Sequence, residues 1–233
     1  MMDTTPAGFG TACVLAGGRG RRMEGLDKLR LDFAGERLLA RIARQLRLRF
    51  SDLVAVSSRP EAFEGLGYRV VPDSYTEAGP LAGLHAGLRA ARSEWVYLVA
   101  CDMPHFSVAL VDALMALIEV SGNPGSSGCS VVCQASERGL VAAAAGSGAY
   151  FEPFHAFYHC SLIGPIEAAF RTPGRPPSMQ SVVRALPMAR IDDLAAFNTG
   201  PNLFINVNTP AELAAAERTA LASSSVPGSI PGL

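Results

Sequence analysis

The sequence predicts a three-layer α/β fold in which a mostly parallel central sheet carries helices on both faces. Three observations point there. The apolar runs Thr11–Leu15, Leu53–Val56, Tyr68–Val71 and Trp95–Ala100 are continuous rather than alternating, the pattern of strands buried on both sides. Segments with helical spacing of apolar positions lie between them, so strands and helices alternate. The third is bulk: 49% hydrophobic and only 18% charged residues in a 233-residue chain supply a large core and exclude a disordered one.

Taken in order, Thr11–Leu15 enters a loop at Gly17-Gly18, a strand feeding a glycine turn. Residues 36–50 carry Leu38, Leu39, Ile42 and Leu46 with arginines between, an amphipathic helix. Leu53–Val56 and Tyr68–Val71 read as the next strands, the latter stopped by Pro72. Pro80 suits a first helical turn, so residues 80–92 read as a helix. Trp95–Ala100 is the most apolar strand and ends at Cys101, Asp102, Met103 and Pro104. A helix over 107–120 follows, with Ser107 as its cap, and then a Gly/Ser/Asn/Pro loop from Ser121 to Gly128. Ser130–Cys133 and Phe154–Tyr158 read as strands, Leu162–Phe170 as a helix and Thr172–Pro177 as a loop. Residues 135–150, rich in Ala and Gly, fit neither period. Ala211–Ala222 closes a single domain over 1–222, and the Ser/Pro/Gly-rich 223–233 is expected to be a disordered tail.

Lys and Arg number 20 against 21 Asp and Glu, so there is no global basic field to hold a nucleic acid. No apolar run reaches the length of a membrane span, and the first ten residues lack the basic and apolar regions of a signal peptide. Five cysteines, an odd count without paired spacing, read as reduced, buried thiols of a cytoplasmic protein. Four scattered histidines give no zinc pattern; His85, His105 and His159 read as core or surface residues, and His155 as either a core residue or a ligand contact.

The most informative segment is Leu15 to Lys28. Gly17, Gly18 and Gly20 let backbone amides approach a ligand, and Arg19, Arg21, Arg22 and Lys28 outnumber Glu24 and Asp27. Amides with a guanidinium and an ammonium make a polyphosphate cradle. It is not a Walker loop, because Leu26 and Asp27 separate Gly25 from Lys28, nor a dinucleotide fingerprint, because Met23 stands where a third glycine is needed. Asp102, beyond the strongest strand, faces the same crevice outside the carboxyl ends of the strands. One such carboxylate suffices for magnesium when phosphates and water complete the shell. The alternative is a turn former before Pro104 or a helix cap. Asp73 closes a strand and fits an Asx-turn after Pro72 equally well. Gly79-Pro80 opens a helix whose amides point outward. Asn206 and Asn208, two apart at a strand end, share a face; Asn208 or Thr209 would otherwise cap the last helix.

These motifs together resemble the nucleotidyltransferases that act on molybdenum cofactor, within the larger sugar-nucleotide pyrophosphorylase-like group. The resemblance rests on Leu15-Ala-Gly-Gly18, Arg22-Met23, Asp27-Lys28, Asp73, Gly79–Gly83, Cys101–Pro104, Glu152–Tyr158 and Phe204–Pro210, spanning about residues 11–215. It implies a Rossmann-like nucleotidyltransferase that passes GMP from GTP to the terminal phosphate of molybdopterin and releases pyrophosphate. Arg22 and Lys28 would grip the β- and γ-phosphates, Asp102 would hold Mg2+, and Asp73 would touch GTP. The backbone of Leu15, Ala16 and Gly17, with Gly18, would meet the nucleotide, and Asn206 and Asn208 the second substrate. Other cofactor-biosynthesis proteins or recipient molybdoenzymes are the further partners it brings in. Two positions depart from the family pattern. Glu24 replaces a usual glycine, and Ser57 stands where an asparagine often meets the nucleotide. The rivals are a CTP-dependent relative, an enzyme that activates another phosphorylated small molecule, and a non-catalytic nucleotide-binding adaptor. Gly17-Gly18 and the asparagines at 206 and 208, where the CTP enzymes tend to carry Leu-Ala-Ala-Gly and aspartates, favour GTP. Intact Arg22, Lys28 and Asp102 argue against an adaptor.

Overall fold

In the computed structural model, the residues described are 8–17, 27–75, 78–121, 142–147, 150–174, 177–184, 188–191 and 203–224. The strands in chain order are β1 (Thr11–Leu15), β2 (Asp32–Phe33), β3 (Glu36–Arg37), β4 (Asp52–Val56), β5 (Arg69–Val71), β6 (Trp95–Ala100), β7 (Ala142–Ser147), β8 (Tyr150–Phe151), β9 (Ala156–His159) and β10 (Met188–Ile191). The α-helices are α1 (Leu38–Leu46), α2 (Pro80–Ala90), α3 (Val108–Ser121), α4 (Ile163–Arg171), α5 (Met179–Arg184) and α6 (Pro210–Ser224).

One sheet runs β10-β7-β9-β6-β1-β4-β5, with β8 paired to β7; β2 and β3 form a separate hairpin. β1 is parallel to β4 and β6, and β4 to β5. β9 runs against both neighbours, and β10 lies parallel to β7. The strands alternate their faces as expected. Ala12 and Val14 pack with α1 and α3 (Leu39, Ile42, Leu110, Leu114), whereas Cys13 and Leu15 pack with α2 and α4 (Leu81, Leu84, Ile166). Continuous apolar strands are thus buried from both sides. α2 lies very close to β1: a Cβ added at Gly87 would stand 2.5 Å from Cys13 Sγ, so only glycine fits there.

β1 is the switch point of the sheet. The chain moves outward from β1 to β4 and β5, then returns to β6 on the other side of β1. A crevice opens outside the carboxyl ends at such a point. The register sets Leu15 between Val56 and Ala100. The loops at 16–17, 57–59 and 101–104 therefore leave the sheet side by side, with Asp73 beyond β5.

Several expected bounds shift. The strand expected at Phe154–Tyr158 is Ala156–His159; Phe154 and His155 precede it, and His155 sits at φ 51, which no strand accepts. The last helix reaches Ser224, so residues 223 and 224 of the expected tail are helical, and 225–233 lie outside the described residues. So do the expected strand Ser130–Cys133 and the loop after Ser121. Residues 135–150 contain β7 and the first residue of β8. α5 and β10 were not foreseen.

Candidate active site

The site is built where three chain segments far apart in sequence meet. The first carries Lys28. Asp27 caps a 3-10 turn, Lys28–Arg30, through its own carboxylate, which accepts from Leu29 N at 3.1 Å. Leu29 is buried and anchors the turn. The same Asp27 oxygen also accepts from Arg59 Nη2, and these hydrogen bonds hold its carboxyl below the usual carboxylate range despite some desolvation. Lys28 thus leaves a braced backbone.

The second segment follows β6. Met103 N donates to Ala100 O, which closes a tight turn over Cys101 and Asp102. Arg41 of α1 reaches across and donates from Nε to Pro104 O at 3.3 Å, with its guanidinium 5.0 Å over the Phe33 ring. α3 is capped by Ser107, whose Oγ accepts from Leu110 N. Asp102 is therefore no helix cap.

The third segment, 203–209, precedes α6. Val207 is buried and donates from its N–H to Asp102 O at 2.8 Å, tying the second and third segments backbone to backbone. Thr209 Oγ1 accepts from Glu212 N at 3.2 Å, and Glu212 Oε2 accepts from Asn208 N at 2.7 Å. This is a capping box whose acidic arm reaches back one residue further, to Asn208.

Lys28 joins all three. Its Nζ donates to Asp102 Oδ2 at 2.8 Å and to Asn208 Oδ1 at 2.8 Å. The Lys28 and Asp102 side chains are only 20% and 19% exposed, so the charges meet in a partly desolvated place where they act strongly. Lys28, Asp102 and Asn208, each singled out in the sequence, are brought together. Asn206 is not: it is exposed, and among the described residues its side chain has no hydrogen-bond partner.

Asp73 takes the Asx-turn, its Oδ1 accepting from Tyr75 N at 2.9 Å. Tyr75 in turn lies 4.3 Å from the Phe170 ring and 5.1 Å from His85, so this loop is fastened to α4 and α2. Leu15 is buried, and its carbonyl already accepts from Cys101 N; the Ala16 N–H is committed to Val56 O. Among the described residues the Ala16 carbonyl and the polar groups of Gly17 keep free backbone valences at this edge. That narrows what the segment can offer a base to Ala16 C=O and Gly17, plus the second lone pair of Leu15. Gly18 and Arg22, with Arg19 and Arg21, lie outside the described residues. Ser57 is buried and turns the chain by accepting from Arg59 N at 3.1 Å, rather than reaching outward.

The remaining candidates are structural. His155 is fully buried, with Tyr97 Oη 2.8 Å from Nδ1; burial pushes its pKa down to about 3, and the neighbouring His105 adds to this. Its other nitrogen, Nε2, is buried without a partner. It is a neutral core group, not an exposed ligand contact. Buried His85 pairs with Glu167 at 3.1 Å. Burial raises Cys13 and Cys101 to about 12, with Asp52 and Asp102 respectively contributing, so neither is a nucleophile. Cys160 is also free. Two residues that matter at the site were not singled out. Glu212 was legible in the pattern Thr209-x-x-Glu212. Arg59 gave no signal beyond a charge after a strand.

Among the described residues no group of three His, Cys, Asp or Glu side chains is placed to hold a metal ion. The site offers one carboxylate, Asp102. Among the described residues its Oδ1 accepts no hydrogen bond, and the Asn208 amide oxygen shares its neighbour Lys28. That set fits an ion that takes one carboxylate and completes its shell with phosphate oxygens and water. No helix among the described residues is long and apolar enough to cross a membrane.

The sequence matches the MobA-like NTP transferase domain family over residues 12–192. The chain belongs to that family. A relative from Peptoclostridium acidaminophilum, a probable molybdenum cofactor guanylyltransferase, is 33% identical over 207 residues, 88% of this chain and 87% of that protein. The molybdenum cofactor guanylyltransferase of Syntrophotalea carbinolica is 32% identical over 203 residues, 86% of this chain and 87% of its own length. The crystal structure of molybdopterin-guanine dinucleotide biosynthesis protein A from Archaeoglobus fulgidus superposes with a TM-score of 0.69 at 24% identity, covering 91% of this chain and 99% of that one. The α/β fold with its mostly parallel central sheet and the resemblance to nucleotidyltransferases of molybdenum cofactor are both borne out.

Proposed function

We propose that this chain transfers GMP from GTP to the terminal phosphate of molybdopterin, forming molybdopterin guanine dinucleotide and releasing pyrophosphate. One observation carries the reading: Lys28, Asp102 and Asn208 converge within hydrogen-bond distance at the carboxyl ends of β1 and β6, in a family whose near-full-length relatives bear that activity in their names.

The chemistry asks little of side chains beyond placement. The acceptor is a phosphate monoester with a second pKa of about 6, so its attacking oxygen is ionised at neutral pH. That oxygen forms a bond to the α-phosphorus of GTP; the bond from the α-phosphorus to its bridging oxygen breaks, and the electron pair leaves with pyrophosphate. No proton need be removed, so the work is to align two polyanions and neutralise charge. Lys28 is the described cation for the departing pyrophosphate. Arg22 joins it on the strength of the family motif. Asp102 is the residue that would hold Mg2+, which supplies charge neutralisation at the phosphates. Ala16 C=O and Gly17 face the base, and Asn206 is the exposed amide for the second substrate. Free Cys13, Cys101 and Cys160 suit a reducing compartment such as the cytoplasm.

Calorimetry with GTP, CTP and ATP in the presence of Mg2+ tests the assignment of the base. GTP should bind at least about tenfold tighter than either competitor, the worth of one well-placed hydrogen bond. Equal affinities would remove guanine and leave a nucleotidyltransferase of another specificity.

A further inference from the structure

We propose that Lys28 stands in for the divalent cation at Asp102 until a nucleotide arrives, so that the chain takes up metal only together with a triphosphate. This rests on the nucleotidyl-transfer reading above and adds an order of binding to it.

The Lys28 ammonium has three donors. Two of them are spent at 2.8 Å each, on Asp102 Oδ2 and Asn208 Oδ1. That leaves Asp102 Oδ1 open, but on a carboxylate whose charge Lys28 already offsets, and it ties up the neighbouring amide oxygen of Asn208. Neither Asp102 nor Asn208 can drift away from Lys28, because Val207 N on Asp102 O and Asn208 N on Glu212 Oε2 fix both segments. The Lys28–Asp102 pair is formally neutral and four-fifths covered. A divalent ion approaching Asp102 alone therefore meets a carboxylate whose charge is already cancelled, with an ammonium one hydrogen bond away. In a partly covered site that repulsion is several times stronger than in water.

A triphosphate changes the balance. Its oxygens are stronger acceptors for an ammonium than a carboxylate already shared with a metal. Lys28 has a four-carbon stem on a backbone braced by Asp27 and Arg59, so Nζ can swing from Asp102 to phosphate while the turn stays put. Lys28 then leaves the carboxylate as the charge that needed it arrives.

The test reads metal binding rather than turnover. Mn2+ is titrated into the full chain without nucleotide, and free Mn2+ is followed by its paramagnetic resonance signal. The wild-type chain should show no site that Asp102→Asn removes. Lys28→Gln, and Lys28→Met as a second replacement of different polarity, should each expose a Mn2+ site at least about tenfold tighter than anything in the wild type. Adding Asp102→Asn to either variant should abolish it. Wild-type Mn2+ binding that Asp102→Asn lowers would overturn the proposal, and so would Lys28 variants no tighter than wild type or a new site indifferent to Asp102. GTP titrated together with Mg2+ into the wild type is the separate arm. No binding there would count against the nucleotide reading and leave the Mn2+ comparison standing on its own.

Discussion

Ala34 occupies φ 49 and Gly35 φ 84 in the two-residue turn between β2 and β3. Such hairpin turns favour positive φ at both central residues, which glycine and asparagine adopt readily and alanine only at a cost. The Ala34 N–H is nevertheless used, donating to Glu217 Oε1 of α6 at 2.8 Å. Ala34→Asn keeps that donor and relieves the backbone, so it should raise stability by about 0.5–1 kcal/mol, seen as a higher melting temperature. His155 makes a pH prediction. Its folded pKa of about 3 lies below the ordinary histidine value of about 6.5, so the unfolded chain binds the extra proton between those limits. Stability from neutral His155 is therefore complete above about pH 6.5 and is lost as pH falls towards 3. Melting temperature should climb over that window, and His155→Asn, whose side chain tolerates the same positive φ, should flatten the climb. A slope indifferent to the substitution would place the titration elsewhere, with His105 and His159, whose values burial also lowers. Residue by residue, Asp102 was legible because it ends an apolar strand, Lys28 because it closes a glycine- and arginine-rich loop, and Asn208 because it shares a face with Asn206. Asp73 carried two readings in the sequence, and the Asx-turn in the structure, made through Oδ1 alone, is compatible with both. Arg59 was silent, since nothing local links it to Asp27.

At the scale of elements, α6 does two jobs. Its first turn is capped by Thr209, and its Glu212 restrains Asn208. The two can be separated. Thr209→Ala and Glu212→Ala should each cost about 1 kcal/mol of stability as halves of one capping box. Only Glu212→Ala releases Asn208, so it alone should slow transfer by about tenfold through misplacement of Lys28. Glu212→Gln keeps an acceptor oxygen and should restore the rate. Thr209→Ala losing as much rate as Glu212→Ala would reduce Glu212 to a helix cap. The elements that the sequence revealed are those with a strong period or an unbroken apolar run, such as α1 and β6. β7 opens with four alanines, Ala142–Ala145, whose residues favour neither period; pairing with β9 and β10 makes them a strand. β10 has only four residues, one of them buried, too short a pattern to stand out. The start of β9 moved because His155 needs a left-handed backbone to bury its ring beside Tyr97.

For the whole molecule, the parallel half β5-β4-β1-β6 sets a row of loops at one edge. The half made of β9, β7 and β10 extends the sheet beyond β6. The chain then returns through 203–209 to lay Asn208 against Lys28, 180 residues away in sequence. The architecture was legible because it needs only alternating strands and helices. This long closure was not, because no local pattern encodes it. The account stands on that junction being the centre of GMP transfer. Its most direct test is the rate of pyrophosphate release from GTP with molybdopterin and Mg2+ by Asp102→Asn against wild type. Asn keeps the size and one oxygen but removes the charge, and Lys28 retains Asn208. Stability should therefore fall by only about 1 kcal/mol. The rate should fall by about a hundredfold or more, since several kcal/mol of charge stabilisation depend on the carboxylate. A variant that melts like wild type and still releases pyrophosphate at near its rate would contradict the account and move the centre of transfer away from Asp102.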